Sequence, residues 1–272
     1  MADFLELMLK PFIACLILTG MHAYLGLHVV ERGVIFVDLA LAQVAALGVT
    51  IGFLFGMGMH STASYAISLA ATLFGAGLFA LTRHRRQRVP QEALIGVVYA
   101  VAAAACILVL SRSADGGEEL RSLMVGHLLF IGWPEILKVF LLYAAVGLLH
   151  WFCRKQLLLI SRDPEAAFAT GLKVRWWDFV FYGSFGFVVT SSTEIAGVLL
   201  VFSFLVVPAI CGVLLARSVA GRLLTGWLCG LLTSIVGIMA SWFLDLPTGA
   251  AVVCCFGVSL LACYSWSALR PA

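Results

Sequence analysis

Residues 33–58 read GVIFVDLALAQVAALGVTIGFLFGMG, with Asp38 as the only charged side chain. A helix crosses the hydrocarbon of a bilayer with roughly 20 mainly apolar residues, and this stretch meets that length with residues to spare. Working outward from it, comparable runs lie at 8–29, 61–82, 93–111, 134–152, 176–192, 195–216, 222–243 and 248–267. The pattern predicts an all-α, polytopic transmembrane bundle of nine spans, within a range of about 8–10. A further apolar stretch, Leu123 to Gly132, is too short to cross and fits an interfacial or re-entrant piece.

Composition points the same way. Of the 272 residues, 62% are hydrophobic and 11% charged, with a mean hydropathy of +1.07. A soluble domain carries about 25% charged residues, so a water-facing surface is out of reach and lipid must solvate much of the exterior. The formal net charge of +3 is too small to argue for nucleic acid. Seven of the 8 cysteines fall inside apolar runs, Cys153 being the exception, and none forms a CxxC or Cys/His zinc spacing. They read as small apolar packing residues. Residues 1–10 carry Asp3, Glu6 and Lys10, unlike a basic leader, so the first apolar run is expected to be a retained span.

Charge sets the orientation. Arg83-His84-Arg85-Arg86-Gln87-Arg88 is the most basic segment, and basic residues stay on the cytoplasmic side. With nine spans this puts the amino terminus outside and the carboxyl terminus inside. Lys10, Arg112, Arg121 and Lys138 fall outside, and the other thirteen of the 17 Lys and Arg fall inside. The whole chain reads as one transmembrane domain, 1–272, whose largest inward loop is 153–175. In that loop Asp163 caps a short helix with Pro164 and Glu165 in its first turn, and Gly171 stops it past Ala169. Such a helix is either a plain capped surface helix or a docking element for a cytoplasmic partner.

Ionisable groups inside a span suggest function. Asp38 is the foremost: a carboxylate there binds a cation, pairs with a basic residue such as Arg32, or caps broken backbone. Gln43 follows on the same helix without lying directly above it. His22 and His28 in the first span are six apart and off a common stripe, and each is a candidate ligand for a first-row divalent metal. Ser191 and Glu194 read as a capping box starting the seventh span. Pro208 within that span predicts a kink that could serve gating. No GxxxxGK[ST], HExxH or GxSxG occurs, so no enzyme is expected, and any ATP would be hydrolysed by another chain.

Several of these segments, in order and spacing, resemble the membrane permeases of bacterial ABC importers for zinc, manganese and iron. Arg32-Gly33 through Asp38-Leu39-Ala40 resembles the start of that family's second span. Ala93 to Ala100 resembles its fourth span, Gly126-His127 stands at its Gly-Asn segment, Asp163-Pro164-Glu165 with Ala169 and Gly171 resembles its coupling loop, and Gly197-Val198-Leu199-Leu200 with Pro208-Ala209 resembles its later "VGVLL…PA" span. The resemblance implies a permease homodimer in a bacterial inner membrane, two cytoplasmic ATP-binding subunits docked on Pro164–Thr170, and an external metal-binding protein. It also implies a divalent metal as substrate, with no cofactor on this chain. One departure stands out. Zinc and manganese members place His four residues after the second-span acid, and here that position is Ala42. Either His22 or His28 supplies the nitrogen, with Gln43 as a weak oxygen ligand, or the cargo is another metal. The alternative reading is an ion-coupled secondary transporter acting without an ATPase.

Overall fold

A computed structural model describes residues 2–58, 61–83, 89–111 and 116–269. Its helices are α1 (Ala2–Arg32), α2 (Val37–Leu54), α3 (Thr62–Thr82), α4 (Gln91–Leu110), α5 (Gly116–Val125), α6 (Trp133–Phe152), α7 (Arg154–Arg162), α8 (Pro164–Ala169), α9 (Val174–Leu215), α10 (Val219–Leu244) and α11 (Thr248–Ala268), with a 3₁₀ turn at Leu128–Phe130. There is no strand among the described residues. Residues 84–88 of the basic run, with Arg112 and Arg270, lie outside them.

Among the described residues, eight helices are long and apolar enough to cross a membrane: α1 from Leu7, then α2, α3, α4, α6, α9, α10 and α11. The polytopic all-α architecture is as expected, but the tally of helices is eight rather than nine. The expected sixth and seventh spans are joined in α9, which has 42 residues. At 1.5 Å per residue that is about 63 Å, roughly twice the hydrocarbon thickness. The element is interrupted at Gly197, where φ 74° and ψ 163° are not helical.

The capping box expected at Ser191 and Glu194 is not formed. The Ser192 and Thr193 hydroxyls donate to the Val188 and Val189 carbonyls within the helix, each at 2.7 Å, the bonding mode hydroxyls adopt inside helices rather than at caps. Ser191 Oγ pairs with Tyr65 Oη at 2.8 Å, and Glu194 faces Lys138 at 3.8 Å. Helix therefore continues through the polar cluster and breaks where a residue without a Cβ permits it.

A break at membrane depth frees backbone groups that lipid cannot satisfy. Here the His127 N–H donates to the Ile195 carbonyl at 3.0 Å. Gly126 makes that approach possible: its φ is +69°, and a Cβ on it would collide with the Ala196–Gly197 peptide. The short 123–132 stretch is thus a non-spanning piece, the end of α5 and the 3₁₀ turn, folded against the interruption of α9.

The chain forms two compact units. The first comprises residues 1–30, 125–143 and 194–272, and the second residues 31–124 and 144–193. In the first, α10 packs on α11, and a Cβ on Gly226 of α10 would lie 2.9 Å from the Pro208 carbonyl oxygen. In the second, α2 packs on both α3 and α4. Ser68 Oγ donates to the Ala45 carbonyl at 2.8 Å, and the Thr190 and Thr72 hydroxyls meet at 3.1 Å. Small residues and hydroxyls at helix crossings are the means by which membrane helices associate without a hydrophobic drive.

Gly48 is the tightest test of this packing in the second unit. A Cβ there would lie 2.6 Å from Ser68 Cα, backbone that cannot swing aside. Gly48→Ala should destabilise the detergent-solubilised protein by about 1–3 kcal/mol, the usual cost of overpacking, seen as a lower thermal midpoint. Gly147→Ala, which meets no atom within 4 Å, should melt like the parent. Equal midpoints for the two variants would refute the close α2–α3 contact.

Candidate functional site

The site is built in the second unit, where α2 begins. Gly33, with φ +66°, turns the chain after α1, and residues 34–36 lead into α2. The first backbone N–H groups of a helix have no partner within it. They find one on α4: Phe36 N–H donates to Glu92 Oε1 at 2.9 Å, and the Ile35 N–H donates to the same carboxyl. Asp38 then sits in the first turn of α2, where a carboxylate faces the positive end of the helix dipole.

Asp38 is wholly buried, and neither carboxylate oxygen has a hydrogen-bond partner among the described residues. Buried polar groups are paired in the great majority of cases, and a buried carboxylate without a partner is costly. Its own helix does not relieve it, and Arg32, the partner considered from sequence, is engaged elsewhere. Gln43 is also buried and bonds toward Cys106.

Arg32 pairs instead with Asp178 of α9, Nη1 to Oδ1 at 2.6 Å, with both side chains fully buried. Its Nε donates to Ser161 Oγ of α7 at 2.8 Å, and its guanidinium lies 4.0 Å from the centroid of the Phe181 ring. Arg83 approaches the other Asp178 oxygen at 3.7 Å. Sequence reasoning passed over Asp178. The signal that would have found it is the one that found Asp38: an ionisable residue inside an apolar run. Glu92 was missed because nothing in the 91–110 sequence says that its carboxylate caps a different helix.

The imidazoles belong to the first unit. His22 Nδ1 lies 2.9 Å from the Leu18 carbonyl, an arrangement that puts the proton on Nδ1 and the lone pair on Nε2. Its ring stands 5.8 Å from that of Tyr143. The His28 ring is edge-on to Tyr24 at 5.0 Å. Both histidines are buried. Asp38 and Gln43 belong to the other unit. Pro208 lies in the later part of α9, past the break at Gly197.

The inward loop folds as a small body of its own. Asp163 Oδ1 accepts the Ala166 N–H at 2.9 Å, Pro164 opens α8, and Gly171 leaves it at φ +75°, as the capping pattern predicts. The preceding helix, α7, was not foreseen. Ile160, Ala167 and Val174 form a buried apolar cluster with Leu159, Phe168, Leu172 and Trp177 packed around it, so α8 rests on a rigid base. Beside it opens a cavity of about 340 Å³ lined by Arg32, Gly33, Val34, Arg83, Pro90, Gln91, Glu92, Pro164, Glu165 and Phe168. The loop helix, Arg32 of the buried ion pair and Glu92 at the start of α2 thus share one cavity.

Eight helices apolar enough to cross a bilayer, a deeply buried carboxylate on one of them and a capped helix in the 153–175 loop fit a membrane protein of the transport class. Comparison with known proteins gives the family. Residues 4–266 match the ABC 3 transport family, and the chain belongs to it. It is 26% identical over 233 residues to the manganese transport system membrane protein MntC of Listeria innocua, covering 84% of this chain and 79% of that one. It is 23% identical over 269 residues to a probable iron transport system membrane protein of Haemophilus influenzae, covering 97% and 95%. In fold it is similar to a chain of PsaBC from Streptococcus pneumoniae, solved in complex with Fab, with a TM-score of 0.79 at 19% identity, covering 97% and 95%.

The Arg32–Asp178 pair makes a sharp stability test. Removing one member of a buried pair strands the other charge and costs about 3–5 kcal/mol, whereas replacing both with apolar residues is often neutral. Arg32→Met alone should lower the thermal midpoint strongly, and Arg32→Met with Asp178→Leu should recover most of it. A double variant no better than the single one would show that the two residues do not act as a pair.

Proposed function

We propose that this chain is the membrane permease of an ATP-driven importer that carries a divalent metal cation (manganese, iron or zinc) across a bacterial inner membrane. It works as a homodimer with cytoplasmic ATP-binding subunits and an external metal-binding protein. Family membership supports the permease role, and the relatives named for manganese and iron transport support the class of cargo. The observation that carries the reading to this chain's own residues is Asp38: buried, with both oxygens unpaired among the described residues.

A divalent cation crossing a low-dielectric interior meets a large electrostatic barrier, and one fixed carboxylate on the route lowers it. Asp38 supplies two oxygens, which suit manganese and iron as well as zinc. In the first unit His22 or His28 is proposed as the nitrogen donor the cation meets, and in the second Gln43 is proposed as an auxiliary oxygen. Binding must stay weak enough for the ion to leave again.

ATP-driven switching enters through α8. The ATPase docks on Pro164–Ala169, with Asp163 and Gly171 fixing the ends of that helix. Displacement of α8 is felt at Glu92 across the shared cavity, and Glu92 holds the backbone of Phe36, two residues before Asp38. The Gly197 break and Pro208 give α9 the points at which it can bend as access alternates.

Two variants separate the parts. Asp38→Asn should abolish metal-dependent uptake into proteoliposomes while the complex with the ATPase still assembles. Glu165→Arg should release the ATPase on co-purification while the permease itself remains folded. Undiminished uptake by the Asn variant would remove Asp38 from the pathway, and an ATPase still bound to the Arg variant would remove α8 from the docking surface.

A further inference from the structure

Three cysteines that sit far apart in the sequence meet in the first unit. Cys211 comes from α9, Cys229 from α10 and Cys263 from α11, and their sulfurs lie within 4.8 Å of one another. None is in a disulfide. Cys211 is buried and the other two are half-buried. The Thr233 hydroxyl, one turn beyond Cys229 on α10, donates to the Cys229 sulfur and pairs with Ser259 Oγ of α11 at 2.7 Å. The neighbourhood is therefore three sulfurs and a buried hydroxyl, set among apolar side chains and supplied by three different helices.

Cysteines pack well as small apolar residues, but packing alone gives no reason for three thiols to converge on one point. Metal coordination does. Zinc–sulfur bonds of about 2.3 Å at tetrahedral angles put sulfurs about 3.8 Å apart, so the observed cluster needs to contract by about an ångström at most, within reach of χ1 adjustments. Soft thiolates select thiophilic ions over manganese or iron(II). Charge narrows the choice further. Three thiolates around a monovalent ion leave two net negative charges in an apolar setting, while around a divalent ion they leave one, which burial penalises less. A neutral hydroxyl from Thr233 can complete four-coordination without adding charge.

We propose that Cys211, Cys229, Cys263 and Thr233 form a binding site for a thiophilic d¹⁰ divalent cation, zinc in the cell, and that occupancy braces α9, α10 and α11 against one another. It uses no residue of the proposed transport route, so it stands whether or not that route is correct. On binding, the three thiols lose their protons to solvent and three metal–sulfur bonds form, with no oxidant or reductant required. Affinity should therefore rise with pH.

Cadmium is the probe, because cadmium thiolates absorb in the ultraviolet. The full-length protein, purified in detergent under reductant, should bind about one tightly held Cd²⁺ per chain with a thiolate-to-metal charge-transfer band. Zn²⁺ should displace it and Mn²⁺ should not. Band and binding should fall at least tenfold in Cys211→Ser, Cys229→Ser and Cys263→Ala taken singly, and persist in Cys254→Ser, whose thiol is exposed on α11. Gel filtration of each variant guards against misfolding, and thermal melting of the parent should shift upward with Cd²⁺ only while all three cysteines are present. A band that survives the Cys211→Ser, Cys229→Ser double variant, or its absence from the fully reduced parent, would overturn the proposal.

Discussion

The structure hangs on a charge that has nowhere else to go. Arg32 is drawn into the protein at the end of α1 and cannot lose its proton, so it must be paired where it stands. Asp178 pairs it, Ser161 accepts a second hydrogen bond, and the Phe181 ring covers the guanidinium face. Those partners come from α9 and α7, so one guanidinium joins the end of the first helix, the inward loop and the foot of a later helix. Mutual attraction roughly offsets the cost of burying such a pair. What it contributes is position: the charges tolerate only the arrangement in which they meet. The helix α8, the cavity beside it and the start of α2 are all placed relative to that anchor.

A second constraint is the absence of water in the hydrocarbon. Every backbone group released inside it must find a protein partner, and a helix end at its edge can be answered by protein as well; one case of each shapes this fold. At the start of α2 the partner is a side chain, Glu92, reaching over from α4. At the interruption of α9 it is backbone, the His127 N–H, brought close enough by Gly126. Both repairs come from segments distant in the chain. A break that is held in this way is a position where the helix can bend without exposing peptide groups, which is what a transporter that changes shape requires.

How much of this was legible in the sequence follows from which interactions are local. Span positions depend on runs of apolar residues, and they were read nearly to the residue for α3, α6 and α11. The cap at Asp163 and the stop at Gly171 depend only on residues 163–171, and both formed as expected. Arg32 was one of the partners considered for the near acid, Asp38, because proximity in sequence was the only information available; its true partner lies 146 residues away. The polar run at Ser191–Glu194 looked like a helix start because hydroxyls and a carboxylate in that order so often cap one, yet here the hydroxyls turned back onto their own helix and the carboxylate found Lys138. The convergence of Cys211, Cys229 and Cys263 could not be read at all, since it depends on how three helices pack.

Asp38 differs from the other buried charges in being unanswered. The fold demonstrates that it can pair a carboxylate when pairing is what the site needs, as at Asp178 with Arg32 on one side and Arg83 on the other. A comparable partner at Asp38 would hold it in place and also compete with any cation for its oxygens. Leaving it bare keeps the attraction available to a passing ion, at a cost in stability that the rest of the unit must absorb. A deep, fully satisfied coordination shell would trap the ion instead of passing it on. One poorly satisfied carboxylate in an apolar wall is therefore what transit favours. Its position in the first turn of α2 matters equally, because that turn is held by Glu92 at the rim of the cavity that α8 also lines. The buried carboxylate and the helix α8 are thus connected through a few side chains and a short piece of backbone.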